Sequence, residues 1–66
     1  MAKVYQVSWL YRDADNRLCT STEDVACKSR KTVECWAREV ARERDWRFLQ
    51  ARETVKFPSV DVPVLA

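Results

Sequence analysis

The side chains best suited to covalent chemistry are Cys19, Cys27 and Cys35, and what they could do depends on their neighbours. Nucleophilic catalysis needs a base held beside the nucleophile, and the sequence contains no histidine. Cys35 has the most favourable surroundings. On a helix it lies among Lys31, Arg38 and Arg42 at i−4, i+3 and i+7, the cationic setting in which cysteines become reactive. The plainer reading is a thiol tolerated on a solvated face. Cys19 and Cys27 read as small core hydrophobes. The cysteines are spaced by eight and eight residues, far from the close pairing of a zinc site. Asp13-Ala14-Asp15 begins like a calcium loop, but Arg17 stands where an oxygen ligand is required and the essential glycine is missing. The chain contains no glycine at all, which also excludes phosphate-cradling loops. No acidic pair suggests acid–base work. The expectation is a non-enzymatic protein with no metal and no cofactor.

Two features carry recognition chemistry instead. Lys28, Arg30 and Lys31 cluster where a helix should begin, and Arg38 and Arg42 continue a positive strip along one face. Cations at a helix start oppose the helix dipole, whereas an anion would be welcome there. Arginine outnumbers lysine eight to four, which suits bidentate contact with carboxylate or phosphate. The competing reading is a solvated face held by Glu34–Arg38 and Glu39–Arg42 pairs. The second feature is aromatic excess. Trp9, Trp36, Trp46, Tyr5, Tyr11, Phe48 and Phe57 are too many for so small a core, and aromatics beside arginines compose protein-interface hot spots. The expected partner-binding residues are Lys28, Arg30, Lys31, Arg38 and Arg42 for steering, with Tyr5, Trp9, Tyr11 and Trp46 for contact.

These residues must be positioned by few elements. From Lys3 to Arg12 the sequence alternates, with Tyr5, Val7, Trp9 and Tyr11 on one face and Val4, Gln6, Ser8 and Leu10 on the other, the signature of a strand. Asp13-Ala14-Asp15-Asn16 is turn chemistry without glycine, and Leu18 to Lys28 reads as the returning strand. Ser29 is a helix N-cap. Val33, Trp36, Ala37, Val40 and Ala41 then form the apolar stripe of an amphipathic helix. No glycine or proline stops that helix after Arg44, and Phe48, Ala51 and Val55 would prolong its stripe. Trp46-Arg47-Phe48 and Thr54-Val55-Lys56-Phe57 favour a strand instead, with a phase shift between Phe48 and Leu49 that suits a bulge. The expected fold is α+β, a small single domain over residues 1–57. It runs β-β-α-β, with one helix on a three-stranded antiparallel sheet and a third strand from about Trp46 to Phe57. An extended Pro/Val-rich C-terminal tail over residues 58–66 follows.

Composition bounds the rest. The 66 residues are 47% hydrophobic and 33% charged with a net charge of +2, a globular balance in a chain whose stability must be marginal. Residues 1–28 sum to zero charge and residues 29–57 to +3, from eight basic and five acidic side chains. An odd number of cysteines suits reduced thiols. No apolar run spans a bilayer, and Met1-Ala2-Lys3 lacks a secretory signal's apolar stretch, so the expected address is cytoplasmic.

In size and order of elements, over roughly residues 3–57, the chain resembles small phage-encoded proteins that disable host machinery. These include inhibitors of bacterial RNA polymerase and anti-CRISPR proteins. The resemblance implies a protein–protein interaction module that inhibits or modulates a larger host protein or nucleoprotein complex. Such proteins are frequently acidic DNA mimics. This chain is weakly basic, which leaves steric blocking or docking on an acidic patch. The alternative is a small basic nucleic-acid-binding domain, in which the same cations contact phosphates and Trp9 or Tyr11 stack on bases. A homodimer through an edge strand or the tail is also open.

Overall fold

A computed structural model describes residues 2–55 and 62–65. The first strand, β1 (Lys3–Arg12), pairs with β2 (Leu18–Cys27) in an unbroken antiparallel register from Lys3↔Cys27 to Arg12↔Leu18. The turn between them works without glycine because Asp13 supplies its hydrogen bonds. Its Oδ1 accepts from the backbone N–H of Asp15 and of Arg17, each at 2.9 Å. Asn16 takes the left-handed conformation at φ 63°, which asparagine tolerates better than most residues.

Helix α1 (Arg30–Arg44) buries Val33, Ala37 and Ala41 against the sheet. Ser29 occupies the N-cap with extended backbone, but its side chain makes no capping bond. The stop that the sequence hid is Asp45, left-handed at φ 58° and ψ 40°. The N–H of Asp45 and that of Trp46 both return to the carbonyl of Ala41, the latter at 2.7 Å, so two donors close the end of the helix. Strand β3 (Arg47–Glu53) then runs antiparallel to β1, giving the order β2-β1-β3. This is the expected β-β-α-β α+β domain. The expected bulge is present too: Ser8 pairs with Gln50 and Trp9 with Phe48, which leaves Leu49 as the extra residue.

The third strand is shorter than its sequence suggests. It ends at Glu53 because β1 offers little beyond Val4, whose carbonyl accepts from Thr54 N–H at 2.9 Å. Val55 is 97% exposed. The expected extension to Phe57 and the start of the tail, residues 56–61, lie outside the described residues. Residues 62–65 return to the outer edge of β2. There Ala26 donates to Pro63 O and accepts from Leu65 N–H, each at 2.8 Å, in a parallel bridge opposite Val64.

One core joins the helix to the sheet: Tyr5, Val7, Trp9, Val25, Cys27, Val33, Ala37, Ala41 and Ala51, with Trp36, Val40, Trp46, Phe48 and Leu65 packed around it. Trp9 is its keystone. It is 1% exposed and donates its indole N–H to the Ala37 carbonyl at 2.9 Å, so the largest core side chain also satisfies its one polar atom. On the sheet's other face, Val4 and Ala26 sit opposite one another and are also fully buried. Among the described residues no helix is long and apolar enough to cross a membrane.

Candidate functional site

Two of the expected contact residues belong to the interior. Tyr5 is 4% exposed and Trp9 is 1%, both under the helix, so neither can meet a partner without unfolding. They share the strand face that the helix covers, and a stripe that packs a core cannot also be a surface. Tyr11, the next residue on that face, and Trp46 are only half-buried. The fold brings them together, their rings stacked with centroids 4.9 Å apart and planes 24° from parallel. Trp9 supports Trp46 from below at 5.9 Å.

The expected cations divide between the ends of α1, about 20 Å apart over its 15 residues. Lys28, Arg30 and Lys31 are exposed at its start. The nearby cavity of about 320 Å³ is lined mostly by apolar groups, among them Ala2, Cys27, Val64 and Leu65. Arg38 and Arg42 are exposed towards the other end. Neither forms the ion pair expected with Glu34 or Glu39. Arg38 instead lies over the Phe48 ring, 5.5 Å from its centroid. The reading of this face as a stripe held by Glu–Arg pairs is therefore corrected: an aromatic ring on β3 holds Arg38.

The structure adds residues that the sequence reading did not nominate. Arg44 lies 5.0 Å over the Trp46 ring. Arg44, Asp45, Trp46 and Arg47 line an open cleft of about 670 Å³ together with Tyr11 and Arg12. Leu10 and Leu18 supply apolar lining. The cleft exists because β1 outruns β3. Pairing with β3 stops at Leu10↔Arg47, whereas β1 continues to Arg12 with β2. The signal for it was present as the run Arg44-Asp45-Trp46-Arg47 and as the Tyr11-Arg12 neighbours. Nothing in the sequence alone joins two segments more than thirty residues apart.

Electrostatics here are simple. Arg38, Arg42, Arg44 and Arg47 make no ion pair among the described residues. Arg12 spends one donor on the Asn16 carbonyl at 3.0 Å. Arg42 and Arg44 sit in the last helical turn, where cations are favoured by the dipole, whereas the first turn carries no acidic residue. Asp13 is held below the usual carboxylate range, first by the Arg17 N–H and then by the Asp15 N–H. Partial burial and then the Asp13 carboxylate push the Cys19 thiol up, which makes it a poorer nucleophile. Cys19 donates to Asp13 Oδ2 at 3.6 Å and lies beside the turn rather than in the core, contrary to expectation. Cys27 is in the core, Cys35 is exposed, and all three thiols are free. The described residues contain no cluster of acidic or cysteine side chains able to hold a metal ion.

Comparisons with protein-family models, with curated protein sequences and with solved structures found no match.

Proposed function

We propose that the protein is a small non-enzymatic interaction module that grips a larger protein through arginines set on aromatic rings. One observation carries the reading: half of its arginines, Arg38, Arg42, Arg44 and Arg47, gather along the C-terminal half of α1 and the start of β3 with no ion pair among the described residues. Two of them rest on Phe48 and Trp46. A guanidinium stacked on a ring is pre-oriented while its N–H edge stays available for a carboxylate, so less side-chain entropy is lost on binding. Desolvated arginine beside tryptophan and tyrosine is also the composition of binding hot spots.

The role we assign is that of the phage- or mobile-element-type inhibitors whose size and element order the chain resembles, docking on an acidic patch of a host machine. Base stacking is less well supported, because the Trp46 ring already carries Tyr11 and Arg44. The test compares the parent chain with an Arg38→Glu, Arg42→Glu variant that keeps its circular dichroism spectrum. The variant should fail to retain from its source cell the protein that the parent retains. Equal retention rejects the helix face as the contact. Oligonucleotide binding that weakens steeply with added salt would replace this reading with a nucleic-acid one.

A further inference from the structure

The cleft at the α1–β3 corner is more specific than a charged patch, because a strand edge lies open in it. Alternate residues of β1 turn their backbone N–H and C=O towards β3, as Val4 does in accepting from Thr54 N–H at 2.9 Å. The register of β1 against β2 is unbroken to Arg12↔Leu18, so the same parity holds along the whole strand. Counting by twos from Val4 passes Gln6, Ser8 and Leu10 and reaches Arg12. Its backbone groups therefore face the same side, one step past Leu10↔Arg47, where β3 has not yet begun. Space that a strand residue would fill is cleft instead.

The walls state what would fit there. Arg12, Arg44 and Arg47 line the space, and Asp45 is the one acidic residue among the described residues that does so. The Tyr11–Trp46 stack and Leu10 and Leu18 add apolar surface. A volume of about 670 Å³ accepts a few residues of extended chain. We infer that this notch binds an extended acidic peptide segment of the partner protein. The segment continues the sheet along β1 at Arg12, its carboxylates meet Arg44 and Arg47, and an apolar side chain lies against Leu10 and Leu18. Backbone pairing at a sheet edge gives affinity in such a mode, and the flanking side chains give selectivity. Guanidinium–carboxylate contacts set the sign of the ligand.

The inference rests on the protein being a binding module, yet the two can fail separately. The probe is a short capped peptide alternating glutamate with valine, titrated into the isotope-labelled full chain at low salt. Amide shifts should concentrate at Leu10–Arg12, Leu18 and Arg44–Arg47. Replacing each glutamate of the peptide with glutamine should weaken binding about tenfold or more, and so should Arg44→Gln, Arg47→Gln in the protein. Absence of binding, shifts centred on Lys28–Lys31, or equal affinity for the glutamine peptide each overturns the proposal. So does a short oligothymidylate that occupies the notch more tightly than the acidic peptide. If the peptide fails while Arg38→Glu, Arg42→Glu still abolishes partner retention, the notch is wrong and the interaction module stands. If the peptide binds as expected while that variant keeps its partner, the helix face is wrong and the notch stands.

Discussion

The two ends of the sheet meet the same problem, a strand edge with polar backbone groups exposed, and solve it differently. At the end near Ala26 the chain covers its own edge: Pro63 and Leu65 take both backbone groups of Ala26, and Leu65 packs against the core. At the hairpin end β1 runs past β3, and arginines rather than a strand surround the opening. Charge on an edge is a standard guard against indiscriminate pairing. Here the guard is also selective, since cations repel basic strands and attract acidic ones. The helix reinforces the difference. The cations at its start, Lys28, Arg30 and Lys31, oppose its dipole and lie over no aromatic ring among the described residues, whereas Arg42 and Arg44 at its end sit with the dipole and Arg44 is stacked on Trp46. One edge is satisfied from within the chain, and on the proposed reading the other is left for a partner.

The sharpest way to break this comparison is at Trp9, which touches both halves through Trp36, Trp46 and Ala37. Trp9→Ala removes the largest buried side chain and should cost about 3–5 kcal/mol, comparable with the whole stability of a domain this size. Loss of a cooperative thermal transition by circular dichroism is the expected result, and a retained transition would mean that the ends are stabilised independently. A smaller effect is expected from ending the chain at Asp61, which strips Ala26 of both partners and removes Leu65 from the core. Chemical denaturation should show a loss of about 1–3 kcal/mol, from two hydrogen bonds and a partly buried leucine. Arg44→Gln, Arg47→Gln at the opposite end should change stability by less than about 1 kcal/mol, because exposed cation–ring contacts contribute little. A double variant as damaging as the truncation would mean that the arginines hold the fold together and are not reserved for binding.

Local chemistry made most of the fold legible. Period-2 alternation located β1 and β2, Asp13 and Asn16 announced a turn that dispenses with glycine, and the phase change at Leu49 disclosed the bulge. Less legible were the features decided by where the partner ends. Asp45 stops the helix by adopting a left-handed conformation that aspartate merely tolerates, and β3 stops where β1 runs out. The site followed the same division. Tyr11 and Trp46 were readable as aromatics near arginines, but Tyr5 and Trp9 look identical to them until the helix is placed over the strand. Arg12, Arg44 and Arg47 could not be grouped beforehand, because the difference in length between β1 and β3 is what makes them neighbours.

The smallest expected effect concerns the tip of the hairpin, and it separates turn chemistry from edge chemistry. The Arg17 and Asp15 N–H groups bind the ionised Asp13 carboxylate and hold it below the ordinary value of 3.8. A depressed folded-state value means that this stabilisation is complete above the unfolded value and is lost as pH falls through the folded one. The amide signals of Asp15 and Arg17 should therefore move together in strong acid, with a midpoint below 3.8, while those of Trp46 and Arg47 stay in place. Asp13→Asn keeps a side-chain oxygen for both donors and removes the titration, so the turn should persist in acid with no such movement. If Trp46 and Arg47 titrate along with the turn, the hairpin tip and the notch are one cooperative unit, and the open end is held by its turn as firmly as the closed end is held by residues 62–65.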